Sequence, residues 1–202
     1  MKIDLHIHLK RLSKCAKMDI NALVPQLIAN QIYGVSPFDH NYFTKDSDIK
    51  EIQSLSNKIT VFKGTEINVR GPKGNKEDFI LISSVEPQFD LKHFDIWELV
   101  EFINKNDALT ILAHPFRRRD FVDFNFGFFV PDAVEIYSTH IKIENREKIK
   151  DLAKKYGMAT IINSDAHKSK QIGPYYTEIP DGVKTCEDLK WIIKTKRYLL
   201  PI

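Results

Sequence analysis

Short apolar runs rich in β-branched and aromatic residues recur along the chain and alternate with segments of helical periodicity. The alternation predicts βα units built around a parallel sheet. The predicted strands cover residues 2–7, 32–37, 59–67, 78–83, 109–113, 133–137 and 158–163. Seven buried runs separated by helices favour a barrel or an open α/β sheet.

The segments with helical spacing are 19–31, 95–103, 149–156 and 185–193. Asp95 and Glu98 form a capping box at the start of the second segment. Gly157 is placed to end the third, and Thr185 to cap the fourth. Pro25 falls inside the first stripe, which predicts a helix that is kinked or begins late.

Two connections stand out by composition. Residues 70–76 contain two glycines and a proline and predict an exposed turn. Residues 121–129 contain five phenylalanines, which could form a lid, stack on a base or complete the core. We favour packing as a lid or in the core, because stacking platforms usually alternate with basic groups.

The chain-level properties fit one globular domain over residues 1–202, with 43% hydrophobic and 28% charged residues. No apolar run approaches the roughly 20 residues that span a bilayer, so no membrane partner is expected. Only two cysteines and no signal-peptide pattern predict a cytoplasmic protein. The net charge of +3 suits an anionic substrate but does not predict binding of long duplex nucleic acid. The oligomeric state stays open.

Histidines and carboxylates follow nearly every predicted strand. In a barrel of parallel strands the C-terminal ends open at one mouth, so these side chains would converge there. Imidazole and carboxylate groups together bind first-row divalent cations. The sequence therefore predicts a metal centre. Its candidate ligands are His6, His8, Asp39, His40, Glu66, His114, Asp165 and His167.

The motifs around these residues resemble those of the PHP superfamily, the polymerase and histidinol phosphatase domains. The matching segments are residues 4–8, 39–41, 64–66, 113–117 and 164–167, in the order typical of the family. The resemblance implies an α/β fold, a distorted (β/α)7 TIM-like barrel with the metal site at the C-terminal ends of the strands. It also implies a stand-alone phosphoesterase that hydrolyses a small phosphate ester by a metal-bound hydroxide.

The resemblance also implies a ligand set for two or three divalent ions of zinc, manganese or iron. The implied ligands are His6, His8, Glu66 and Asp165 for the first ion, Glu66 and His114 for the second, and His40 and His167 for the third. Asp39 would support His40.

The chain departs from the family pattern at two places. Asp78 stands where many relatives have a histidine, and an oxygen ligand there would favour a harder ion such as Mn²⁺. Residues 9–15 lack the usual histidine or aspartate, and this connection is one residue longer than in relatives. Cys15 is the only ordinary metal-binding side chain in it. It is either a ligand or a small buried residue, and we favour burial.

Basic residues near the predicted mouth could act on the substrate. Arg117 lies two residues after the His114-Pro115 motif and is the candidate phosphate clamp, since its guanidinium matches phosphate oxygens. We expect Arg118 and Arg119 on a solvated loop. His140 follows a strand end and is either the acid that protonates the leaving group or a surface histidine.

Three functions compete. The first is a metal-dependent phosphoesterase acting on a phosphorylated small molecule or nucleotide. The second is a nuclease that acts on short RNA or DNA with the same metals. The third is a non-catalytic metal-binding regulatory module, which the departures at Asp78 and before Cys15 suggest.

Overall fold

The computed structural model of the chain describes residues 1–10 and 15–201, with Phe38 described by its backbone alone. Most of the connection that we expect to be irregular, residues 11–14, lies outside the described residues. No helix among those described is long and apolar enough to cross a membrane. In chain order the elements are β1 (Lys2–His8), α1 (Ile20–Ala29), β2 (Ile32–Phe38), α2 (Asp46–Leu55), β3 (Thr60–Val61), β4 (Gly64–Arg70), β5 (Lys76–Ile82), α3 (Ile96–Asn106), β6 (Leu109–Leu112), β7 (Ala133–Tyr137), α4 (Arg146–Tyr156), β8 (Ala159–Ile162), β9 (Thr177–Glu178) and α5 (Cys186–Lys194).

The strands form two sheets, in the orders β3-β2-β1-β9 and β4-β5-β6-β7-β8. Strands β1, β2 and β3 are parallel, as are β6, β7 and β8. By contrast, β5 is antiparallel to both β4 and β6. The mixed α/β class is confirmed, but the expectation of parallel pairing throughout is wrong. A short turn joins β4 directly to β5, and a parallel pair would need a longer crossover.

Isolated parallel bridges connect the two sheets at both seams. Ile7 pairs with Ala166 at one seam, and His40 pairs with Glu66 at the other. At the first seam the backbone N–H of His8 donates to the carbonyl of Ala166 over 2.9 Å. Pairing along the seams is not continuous in the part of the chain that the structure describes. The expected barrel is therefore observed as two sheets joined edge to edge, because Ala166 and His40 lie in segments that have left the regular ladder.

Several element boundaries differ from the sequence prediction. The predicted strand over 59–67 is divided into β3 and β4, and β9 and α2 were not predicted. Hydrophobic periodicity does not reveal helix α2, because only Asp48 and Ile52 of its ten residues are buried. Helix α1 begins at Ile20, directly after its cap, so it does not start late although Pro25 lies inside it.

The predicted ends of the other helices are confirmed. Asp95 and Glu98 form a reciprocal capping box on α3. Gly157 ends α4 with a left-handed φ of 73°. The side chain of Thr185 accepts a hydrogen bond from the backbone N–H of Asp188 at the start of α5.

An apolar cluster fills the space between the sheets below the strand ends. It combines residues of β1, β5, β6 and β8 with Leu189, Ile192 and Ile193 of α5. In the aromatic connection, Phe124 packs against Phe79 with 4.8 Å between ring centroids. The interpretation of this connection as packed structure is confirmed for Phe124, which is buried in a second cluster outside the sheet.

The turn between β4 and β5 depends on a close backbone approach at Gly71. A Cβ atom at this position would lie 1.7 Å from the carbonyl oxygen of Asp123. We expect Gly71→Ala to lower the free energy of unfolding by about 1–3 kcal/mol through overpacking, measured by urea denaturation. Pro72→Ala in the same turn is the control, since Pro72 is exposed. Equal stability of the two variants would contradict this prediction.

Candidate metal centre

The structure brings the predicted ligand residues together where the two sheets meet. Each sits at or just beyond a strand end, apart from Glu66 and Asp78, which lie within the β4–β5 hairpin. Five groups of three or four ligand-type residues have their ligand atoms within 4.8 Å of one another. These groups draw on His6, His8, Cys15, Asp39, His40, Glu66, Asp78, His114, Asp165 and His167.

The innermost part of the cluster lies between β1 and the segment after β8. The Nε2 atoms of His6 and His8 are 3.0 Å apart. The Oδ1 atom of Asp165 lies 3.3 Å from the first and 3.2 Å from the second. Glu66 Oε2 lies 3.4 Å from His8 Nε2. Two imidazole nitrogens and two carboxylates therefore face one point, which is the first ligand set that the family resemblance implies.

A second group lies on the side of the β4–β5 hairpin. Glu66 Oε1 is 3.3 Å from His114 Nε2, and Asp78 Oδ2 is 3.8 Å from His114 Nδ1. Asn68 donates a hydrogen bond to Asp78 from the paired position on β4. Asp78 is thus held beside His114, and Glu66 faces both groups as a bridging ligand would.

A third group lies nearer the solvent. His40 Nδ1 is 2.8 Å from Glu66 Oε2. The ligand atoms of Cys15, His8, Asp39 and His40 lie within 4.8 Å of one another. His167 belongs instead to a group with His8 and Asp165, so His40 and His167 do not share one set of neighbours. The expectation that Cys15 is buried is wrong: it is exposed, because it lies at the mouth rather than in the core.

Several buried oxygens of the centre have no hydrogen-bond partner among the residues that the structure describes. They are both carboxylate oxygens of Glu66, Oδ2 of Asp39 and Oδ1 of Asp165. Burying an unsatisfied carboxylate is costly unless a cation compensates it. Imidazole nitrogens surround these oxygens, so the donor set fits zinc, manganese or iron. The residues present therefore fit divalent cations.

The protonation states reflect the same excess of negative charge. Burial opposes the charge on Glu66, but His6, His114 and His40 together hold its pKa well below the usual range. Burial likewise disfavours the charged form of His8, yet hydrogen bonds to Asp165 and Asp39 raise its pKa to about 9. The pKa values of His6, His8 and His114 are all raised, so protons on these three imidazoles offset the carboxylate charge, a role that a bound cation would take over.

Glu135 is a central residue that the sequence analysis missed. It is fully buried on β7, and its Oε1 atom lies 2.8 Å from His6 Nδ1. Asn163 donates to the same oxygen, and the backbone N–H of His114 donates to Oε2 over 2.9 Å. One carboxylate therefore orients two candidate ligands. The available signal was a lone glutamate inside the apolar run of residues 133–137.

Two candidate ligands occupy the left-handed region of backbone conformation. His114 has a φ of 27° and Asp165 a φ of 51°. Residues other than glycine rarely adopt this region, and such strain concentrates at functional sites. The unusual backbone turns the chain sharply after β6 and β8, where these side chains join the centre.

Among the basic residues, the positions of Arg118 and Arg119 differ from the sequence prediction. Arg117 Nη1 lies 3.7 Å from Asp165 Oδ2, and Arg118 Nη2 lies 3.6 Å from Asp78 Oδ2, so both reach the centre. Arg119 pairs with Glu77 and is mostly buried, which makes the expectation of a solvated side chain wrong there. His140 contacts the carboxylate of Asp165 through Nδ1 and is 29% exposed.

One family model and one relative match this chain in sequence. The model of the PHP-associated family, PHP_C, matches residues 143–194. An uncharacterized protein of Methanocaldococcus jannaschii, MJ0417, is 29% identical over 217 residues, with 98% of this chain and 82% of that protein covered.

Solved structures share the fold at low sequence identity. A two-domain protein from Bacteroides vulgatus ATCC 8482, containing a predicted PHP-like metal-dependent phosphoesterase, matches with a TM-score of 0.74 and 16% identity. The match covers 98% of this chain and 63% of that one, so this chain spans less than two thirds of it. An amidohydrolase from Chromobacterium violaceum, solved with bound sulfate and no metal, matches with a TM-score of 0.68 and 13% identity, covering 100% of this chain and 99% of that one.

The fold and the converging ligand groups define a mixed α/β protein with a candidate centre for several cations. The PHP-associated family model matches residues 143–194 of this chain, and the chain shares its fold with the Bacteroides vulgatus structure.

The hydrogen bonds of Glu135 allow a test of the metal centre that needs no substrate. We expect Glu135→Gln to weaken Zn²⁺ or Mn²⁺ binding about 10- to 100-fold, because His6 loses the charged partner that orients it. Competition with a chromogenic chelator measures the affinity. Glu101→Gln, an exposed position on α3, is the matched control. An unchanged affinity in a folded Glu135→Gln protein would show that Glu135 does not support the centre.

Proposed function

We propose that this protein is a metal-dependent phosphoesterase that hydrolyses a small phosphate ester with two or three divalent ions of zinc, manganese or iron. One observation carries the proposal. Buried carboxylate oxygens without regular hydrogen bonds among the described residues lie beside imidazole nitrogens, and Arg117 and Arg118 reach Asp165 and Asp78 of the same centre. A cation-binding centre next to cationic side chains suits a substrate that is itself an anion.

The ligand sets follow the three groups of contacts. His6, His8, Glu66 and Asp165 would hold one ion. A second ion would lie between Glu66, Asp78 and His114. A third would lie at the mouth, where the candidate ligands are Asp39, His40 and Cys15, while His167 groups with His8 and Asp165.

Bound divalent ions would lower the pKa of water and neutralise charge on phosphoryl oxygens. The chain's own residues would do the rest. Arg117 would bind the non-bridging oxygens of the phosphate, since a guanidinium matches them with paired N–H groups. His140, beside Asp165 at the rim, would donate a proton to the leaving-group oxygen.

The name of one neighbour agrees with a phosphate ester as substrate, since the Bacteroides vulgatus protein is described as containing a predicted PHP-like metal-dependent phosphoesterase. A nuclease acting on short RNA or DNA would use the same ions and is the second candidate.

Hydrolysis of a chromogenic phosphate ester with added Mn²⁺ or Zn²⁺ tests the proposal. We expect chelation to abolish the activity and His8→Ala to reduce it by about 100-fold or more, because His8 contacts two ligand groups. Glu101→Ala is the control, since Glu101 is exposed on α3 and lies outside the centre. Activity unaffected by both chelation and His8→Ala would refute the proposal. Absence of both activity and tightly bound metal would favour a regulatory module.

A second prediction concerns Cys15. If its thiolate is a ligand at the mouth, cobalt-substituted protein should show a near-ultraviolet sulfur-to-cobalt charge-transfer absorption that Cys15→Ser removes. Cys186→Ser is the control, because burial raises the pKa of that thiol to about 11. A band that persists in Cys15→Ser, or cobalt binding without the band, would exclude thiolate coordination. Such a ligand requires reducing conditions, and we propose a cytoplasmic location accordingly.

A further inference from the structure

A cavity of about 390 Å³ lies at the end of β8 that is remote from the candidate metal centre. Met158 and Thr160, at the start of this strand, line the cavity, whereas the candidate ligand Asp165 follows the end of the strand. The other walls are the C-terminal half of α4 and the segment directly after α5. The volume is typical of sites for small organic molecules. This α4–β8 cavity is therefore separate from the centre.

Three lysines line the α4–β8 cavity, and none of its lining residues among those described carries a carboxylate. Lys150 and Lys154 are four residues apart on one face of α4, and Lys196 follows α5. Like charges four residues apart on a helix repel each other. The carbonyl end of α4 also lies here, so lysine side chains and not a helix dipole would attract an anion.

These lysines are poorly neutralised by the rest of the protein. Lys154 and Lys196 form no ion pair within residues 1–10 and 15–201. Lys150 Nζ lies 2.7 Å from Glu147 Oε1, but the two side chains are 51% and 80% exposed. Ion pairs between exposed side chains contribute little, because water screens them. An anion in the cavity would offset a repulsion that the described residues leave largely uncompensated.

Lys196 occupies a backbone position that favours glycine. Helix α5 ends in a Schellman motif, in which the N–H of Lys196 donates to Ile193 and the N–H of Arg197 donates to Ile192, each over 3.1 Å. The φ of Lys196 is 54°, in the left-handed region. Glycine is the usual residue at this point of the motif because it has no Cβ atom. A lysine here costs backbone stability, and its side chain lines the cavity.

The remaining walls are held in place and are partly apolar. The hydroxyl of Tyr198 donates to the backbone carbonyl of Thr160 over 2.7 Å, which ties the segment after α5 to β8. Ala153 and Met158 line the cavity and are otherwise buried. The cavity thus combines exposed ammonium groups with apolar side chains. An inorganic anion would use only the former, whereas an organic anion would use both.

We propose that the α4–β8 cavity binds an organic phosphate at a second site, independent of the metal centre. The phosphate group would contact Lys154 and Lys196, and the apolar or aromatic part of the ligand would contact Met158. Phosphate is the anionic group that fits best, because it carries nearly two negative charges at neutral pH and lysine binds it as a point charge. The inference goes beyond the proposed function and holds whichever reaction the centre performs.

Calorimetric titration of the full chain with phenylphosphonate tests the proposal. Hydrolysis cannot cleave the P–C bond of this probe, so the protein is titrated both as purified and after chelation of metals. We expect binding that chelation leaves unchanged, because the α4–β8 cavity contains none of the candidate metal ligands. Inorganic phosphate should bind about tenfold more weakly, since it lacks a ring to bury against Met158. Equal affinity for the two probes would contradict an organic ligand.

The double variant Lys154→Gln, Lys196→Gln tests the cavity itself. We expect its affinity for phenylphosphonate to fall about tenfold or more, since each contact of an ammonium group with the probe is charge-assisted. The variant Lys148→Gln, Lys184→Gln removes the same charge from exposed positions outside the cavity and should bind like the wild type. An equal fall in both variants would reflect net charge alone and would overturn the inference.

Two further variants separate the cavity from loss of folding and from the metal centre. Lys196→Gly removes the ammonium group and relieves the left-handed backbone, so we expect weaker binding together with a higher midpoint of thermal unfolding. Unchanged affinity in this variant would show that Lys196 does not contact the ligand. Arg117→Gln should keep the binding that persists after chelation. Loss of that binding in Arg117→Gln, with retention in the double lysine variant, would place the probe at the centre and refute the second site.

Discussion

The burial of carboxylate charge around Glu66 is the constraint on which the rest of the site depends. Glu66 is fully buried, and although His40 Nδ1 lies 2.8 Å from its Oε2 atom, neither carboxylate oxygen has a hydrogen bond of regular geometry among the described residues. Asp165 and Asp39 add two further buried charges within a few ångströms of the same imidazoles. An uncompensated buried carboxylate costs several kcal/mol, on the order of what a whole domain gains on folding. The arrangement is stable only with positive charge among these groups, from protons on the histidines or from cations.

The way the two sheets meet explains how these groups come together. Both seams run through the candidate ligands, since His40 pairs with Glu66 and Ile7, between His6 and His8, pairs with Ala166. At each seam the chain has left the regular ladder, so backbone direction can change over one or two residues. The left-handed conformations of His114 and Asp165 serve the same purpose after β6 and β8. Irregular pairing at the strand ends is thus a condition for convergence of the side chains.

The centre is chemically asymmetric across its width. On the hairpin side an additional carboxylate, Asp78, stands beside His114 and Glu66, and carboxylate oxygen prefers harder ions. At the mouth a thiol, Cys15, stands beside His40 and Asp39, and sulfur prefers softer ions. Arg118 lies on the hairpin side beside Asp78, whereas Arg117 lies beside Asp165. On our proposal, the cationic side chains that would bind phosphate therefore reach both of these ligand groups.

The sequence by itself determined most candidate ligands, the alternating strands and helices, and three of the helix ends. It did so because strand-end histidines, apolar periodicity and capping residues are local signals. It did not reveal the antiparallel hairpin, Glu135 as the partner of His6, or the exposure of Cys15, although each residue was visible in the chain. Those features depend on which strands become neighbours, and residues 6 and 135 acquire a shared role only when the fold places them 2.8 Å apart. Only the tertiary structure could decide them, because charge compensation and burial are properties of the assembled interior and not of any segment.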